Sequence, residues 1–212
     1  MNSFLQTNKS EVKTDNPNYE IENGSVWLKR PSFKIALLST FTALAVVFGY
    51  MLAYIPNIEV FTLTIFLSGF ILGKKEGFFV GLLSSTIFTF FNPLGVSPPP
   101  LYLYQVVHYS LTGFSGGLVR NFLNNKKFFK PKEDLYVFPV IALFGFVGGV
   151  ITFIYDLLST FFGAILFSQS VNYFIATYLS GVVFTSIHLI GNVLGFIFIL
   201  PGLIQLIMKL LD

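Results

Sequence analysis

Pro56-Asn57-Ile58-Glu59-Val60-Phe61-Thr62-Leu63 opens a stretch, running to Arg120, on which the reading of the whole chain turns. A hydrophobic helix ends just before it. An apolar run to Gly73 follows, then Lys74-Lys75-Glu76-Gly77, then a second apolar run to Phe91. The turn-rich loop Asn92-Pro93-Leu94-Gly95-Val96-Ser97-Pro98-Pro99-Pro100 comes next. It feeds a helix that carries Gln105, His108, Tyr109 and Thr112 and stops at Arg120. Two segments short for a bilayer that needs ~20 apolar residues, a stiff loop and a helix with a polar stripe predict a pocket within a membrane.

Composition supports a membrane setting. The 212 residues are 54% apolar and 18% aromatic but only 11% charged, too little charge to cover a soluble fold. Cysteine is absent, so neither a disulfide framework nor a thiolate site is available. Residues 1–30 are polar, rich in Asn, Glu and Lys, and read as a disordered or loosely docked cytosolic arm. They do not have the apolar core of a secretory signal.

Outward from the central stretch, apolar runs bounded by charge or Gly/Pro predict an all-α membrane protein of six transmembrane helices over 31–212. The spans are about Phe33–Tyr54, Ile58–Gly73, Gly77–Phe91, Leu101–Phe122, Tyr136–Phe167 and Tyr173–Leu200. Beyond Pro201 a kink or a separate interfacial piece is expected. With the N-terminus in the cytosol, all 13 basic residues fall on the cytosolic side, as the positive-inside rule requires. Both termini are therefore read as cytosolic, in a multi-pass protein of the plasma membrane. The net charge of +3 follows the membrane face, which argues against nucleic acid as a partner.

Polar residues at membrane depth are costly and mark function. Asp156 shares a face of the fifth span with Thr152 and Ser159. Gln105, His108, Thr112 and Ser115 form a stripe on the fourth, and Tyr178, Thr185, His188 and Asn192 form one on the sixth. Glu59 and Asn57 lie at the outer end of the second span and Asn92 at the end of the third, while Tyr104 and Tyr109 are placed to stack on a planar ligand. The substrate-binding set is thus Asn57, Glu59, Asn92, Tyr104, Gln105, His108, Tyr109, Asp156, His188 and Asn192. Against this stand plainer roles: backbone-bonded Ser and Thr, and an Asp156–histidine pair that only joins helices. Two histidines and one aspartate match no recognised metal spacing.

Gly113-Phe114-Ser115-Gly116 together with His188-x-x-Gly191 resembles the dyad of rhomboid intramembrane serine proteases. Ser115, however, lies ~21 Å along its helix from the outer end at Leu101 and close to Arg120, which is the wrong depth. Close helix packing accounts for the glycines better.

The chain as a whole resembles the substrate-binding (S) component of energy-coupling factor (ECF) transporters over about residues 33–205. The resemblance rests on the small-residue run Ile35–Ala45 of the first helix and on the Pro56–Leu63 passage continuing through Gly69–Gly77 and Gly81–Ser84. It rests also on the Asn92–Pro100 loop leading into Tyr104-Gln105, and on Tyr155-Asp156-Leu157-Leu158 with His188 and Asn192. It implies capture of a small water-soluble vitamin or precursor from outside, beneath the loops Pro56–Glu59 and Asn92–Pro100. It also implies docking through the first helix, at Ala36, Ser39, Thr40 and Ala43, onto a transmembrane coupling subunit joined to two cytosolic ATPases. Without a G-x-x-x-x-G-K-[ST] loop this chain has no ATPase site of that kind, so it is read as a non-enzyme, with no cofactor.

Overall fold

The computed structural model describes residues 27–124, 126–167 and 170–211, and within them the regular structure is helical. The expected tail over 1–30 therefore lies almost wholly outside the described residues. Helix α1 covers Pro31–Leu52, with proline in its first turn where the missing N–H costs nothing. Helices α2 (Phe61–Leu72) and α3 (Lys74–Phe90) follow, then α4 (Pro99–Asn124) and α5 (Phe138–Phe167). Helices α6 (Val171–Ser180) and α7 (Val182–Leu194) come next, then a π turn over Gly195–Ile199 and α8 (Leu200–Leu210).

Every residue of α2 is buried. Twelve residues rise only ~18 Å, far less than the ~30 Å of bilayer hydrocarbon. Ile58–Gly73, read from the sequence as a short span, thus contains a central helix wrapped by the others, and its all-round apolar sequence has protein rather than lipid to face. Gly73, at φ +118°, makes the break that turns α2 into α3, a backbone setting that suits only glycine.

Helices α2, α3 and α4 meet at glycines. A Cβ on Gly113 would strike the carbonyl of Gly77, one on Gly69 the carbonyl of Gly113, and one on Gly116 the carbonyl of Phe66. Backbone therefore lies on backbone, the close approach that small residues permit where lipid offers no hydrophobic drive to association. At this end of the bundle Lys34 pairs with Glu76 at 3.0 Å, and Arg120 donates to the Ile71 carbonyl at 2.9 Å.

The sixth segment differs from expectation. The apolar run long enough to cross a membrane is Val182–Leu210, shifted along the chain from Tyr173–Leu200, and α6 buries none of its residues. Gly181 separates the two pieces. Pro201 neither ends nor separates the helix. The π turn just ahead of it takes up the mismatch created by the missing N–H, and α8 runs on.

Among the described residues three helical runs are long and apolar enough to span: Pro31–Leu52, Phe138–Ala164 and Val182–Leu210, with mean hydropathy of 2.1 to 2.2. Only 22–28% of these windows is buried inside the bundle. Large side chains such as Ile35, Met51, Phe146, Phe153 and Phe198 instead face outward. An apolar mantle on this scale needs hydrocarbon around it. The chain is an all-α membrane protein.

Candidate functional site

The turn between α1 and α2 builds the first wall of the site. Asn57 takes a left-handed φ of +57°, which Asn tolerates better than most residues. The chain is thereby reversed, and Glu59 is delivered to the start of α2. There Glu59 Oε2 accepts the Thr62 N–H at 2.7 Å, satisfying one of the donors that a helix start leaves unpaired.

The other oxygen of Glu59 faces inward. Glu59 Oε1 accepts Asn192 Nδ2 at 2.9 Å and lies 3.4 Å from His188 Nε2. The opposite ring nitrogen, His188 Nδ1, is 2.8 Å from Asp156 Oδ1. His188 and Asn192 stand four residues apart on α7, so one helix face carries both. Asp156 comes from the middle of α5. The imidazole is thus held between two carboxylates from separate elements, and the side chains of His188, Asp156 and Glu59 are 8%, 10% and 19% exposed. Two acids on opposite nitrogens of one ring do not share a metal position, and among the described residues no group of three ligating side chains is arranged to hold a metal ion.

Above this cluster is a cavity of about 270 Å³. Its polar walls are Asn57, Glu59, Tyr109, Tyr155 and His188, and its apolar walls include Phe61, Phe88 and Leu94. The rings pack on one another: Phe61 meets Tyr109 edge-on at 4.7 Å, Tyr109 lies 5.4 Å from Tyr155, and Tyr155 meets His188 at 5.9 Å.

The sequence-predicted residues fall into three groups. Asn57, Glu59, Tyr109 and His188 line the cavity, and Asp156 and Asn192 hold the lining groups in place. Tyr104, Gln105 and His108 lie outside the lining and brace it: Gln105 Nε2 donates to the Tyr155 hydroxyl at 3.0 Å, and His108 packs 5.1 Å from the Tyr155 ring. Asn92 stands apart. Its side chain accepts the Leu94 N–H at 2.8 Å, so it shapes its own loop, and Leu94 rather than Asn92 reaches the cavity.

Tyr155 is absent from the sequence-predicted set. The signal was available, because it completes the i, i+3, i+4, i+7 pattern of Thr152, Asp156 and Ser159 on α5. Phe61, Phe88 and Leu94 had no signal, being apolar residues among many. Of the Tyr178, Thr185, His188 and Asn192 stripe, the last two reach the cluster; Thr185 bonds back to the Val182 carbonyl. Ser115 likewise donates to the Thr112 carbonyl of its own helix at 2.7 Å, while both nitrogens of His188 face carboxylates. Ser115 and His188 are not paired.

Fold and site together define a helical membrane protein with a small cavity floored by an Asp–His–Glu cluster. Comparison with protein-family models, with curated proteins and with solved structures finds no match.

Proposed function

We propose that the chain is the substrate-binding subunit of an ECF-type importer, which captures a small water-soluble vitamin or related micronutrient. One observation carries the reading. The cavity lies under the α1–α2 turn and beside the α3–α4 loop, where Leu94 reaches it, and its floor is a buried polar cluster of the kind that membrane proteins keep for binding. In this reading six segments cross the plasma membrane, with α2 enclosed by its neighbours and both termini in the cytosol. The distribution of all 13 basic residues supports that orientation.

The outer face of α1 supports the docking part of the reading. Ala36, Ser39, Thr40 and Ala43 are all exposed, and the Thr40 hydroxyl is turned back onto the Ala36 carbonyl at 2.9 Å. A partner helix of a coupling subunit would find there small side chains that allow close approach, with the Thr40 hydroxyl already satisfied. ATP hydrolysis belongs to the two cytosolic partner subunits. The rhomboid-like alternative loses support, because Ser115 and His188 have other partners.

The test is to purify the protein in detergent, denature it, and identify released small molecules by mass spectrometry. A stoichiometric vitamin-like compound is the expected result. A protein that emerges empty and binds no member of a vitamin panel overturns the reading.

A further inference from the structure

The charges around the cavity do not balance. Glu59 and Asp156 flank a single imidazole. If His188 carries its second proton, the cluster is net negative by one charge; if it does not, by two. Among the described residues, no lysine or arginine lines the cavity. An unbalanced carboxylate at this depth is costly, and the missing positive charge has an obvious source in the occupant.

The shape and the second polar layer agree with the charge. At about 270 Å³ the cavity lies at the small end of ligand sites, and Phe61, Tyr109 and Tyr155 give it aromatic walls that suit a planar cation. Behind Tyr109 and Tyr155, two buried atoms have no hydrogen-bond partner among the described residues, Gln105 Oε1 and His108 Nε2. The Tyr104 hydroxyl donates to the Ile154 carbonyl at 3.0 Å, which leaves its oxygen to accept from His108 Nδ1 at 3.3 Å. In that tautomer His108 Nε2 is an acceptor, as is Gln105 Oε1. The layer behind the wall thus supplies acceptors and no positive charge, and the group on the lining itself that calls for a donor is Glu59.

We propose that the cavity takes a small planar organic cation bearing N–H donors, of the amidinium or protonated amino-heterocycle class, with its charge against Glu59. The proposal rests on the substrate-binding reading and narrows it: carboxylate and phosphate ligands are excluded by the same charge that attracts a cation.

Three near-isosteric probes test it on the purified full-length chain: benzamidinium, neutral benzamide and anionic benzoate, each read by thermal shift and by ligand-observed NMR at one salt concentration. Benzamidinium is expected to bind about tenfold more tightly than benzamide, with benzoate weakest. Glu59→Gln is expected to remove the preference of benzamidinium over benzamide while benzamide binding persists, a change that mere loosening of the fold would not produce. Should that variant fail to fold, the wild-type ranking decides alone. Benzoate or benzamide binding as well as benzamidinium overturns the proposal, and so does a preference that survives Glu59→Gln. A co-purified anionic or neutral cargo overturns it too, but leaves the binding-subunit reading standing. No response to any of the three probes overturns the proposal alone; the binding-subunit reading falls with it only if the protein also emerges empty and binds no member of the vitamin panel.

Discussion

His188 Nδ1 stands 2.8 Å from Asp156 Oδ1, although the two residues are 32 positions apart and belong to different helices. Both side chains are about nine-tenths buried, so each is the other's replacement for water. Removing one partner leaves a charge buried without compensation, whereas an amide can preserve part of the contact. His188→Ala is expected to destabilise the protein by about 3–5 kcal/mol, and His188→Gln by less, since its amide can still donate to Asp156. Thermal unfolding in detergent checks the order. Equal losses for the two variants would mean that the pair contributes little.

Glu59 joins the cavity to the start of α2. Glu59→Ala is expected to lose the Thr62 contact at a cost of ~1 kcal/mol and to loosen His188 on the cavity wall and Asn192 behind it. Cargo affinity should fall by at least about tenfold, because a buried hydrogen bond to a charged group contributes about 1.5–3 kcal/mol. Equilibrium binding of whatever ligand the wild type releases is the measurement. Undiminished affinity would remove Glu59 from the site.

The glycine contact is expected to be intolerant. Gly113→Ala drives a methyl group into the Gly77 carbonyl, where the obstacle is backbone and cannot swing away. A loss of about 3 kcal/mol or more, or failure to accumulate in the membrane, is expected. Gly191→Ala, with nothing within 4 Å, should change stability by no more than ~1 kcal/mol. Parallel unfolding curves of the two variants separate a packing role from a general sensitivity of helical glycines.

Ser115→Ala should be nearly silent, within about 0.5 kcal/mol, because the hydroxyl only returns to its own helix. Ligand binding should be unchanged. A proteolytic activity in the wild type that this substitution abolished would restore the intramembrane-protease reading.

In the proposed reading, a substitution on the outer face of α1 is expected to separate binding from coupling. Ala43→Leu puts a large side chain on an exposed position and leaves the cavity residues alone. Ligand capture should persist, while co-purification with a coupling subunit should fall by about tenfold or more as the close helix approach is blocked. Intact assembly would move the docking surface elsewhere.

Much of this protein was legible in its residues alone. Length of apolar run and scarcity of charge are local or additive properties. They identify a helical membrane chain without knowledge of which helix touches which. Polar type within or at the end of an apolar run also singled out Glu59, Asp156, His188 and Asn192, because a polar group that costs so much to bury stands out by type.

Tertiary structure alone decided the rest. A purely apolar sequence reads the same whether lipid or protein covers it, so only the packed bundle reveals that α2 is enclosed while α1, α5 and the α7–α8 run turn most of their surface outward. Hydropathy likewise does not register a π turn, and that turn carries the last helix through Pro201. Which polar residues meet depends on how α5 and α7 are rotated about their axes. That rotation brings Asp156 and Glu59 to opposite nitrogens of one histidine and leaves Asn92 in its own loop.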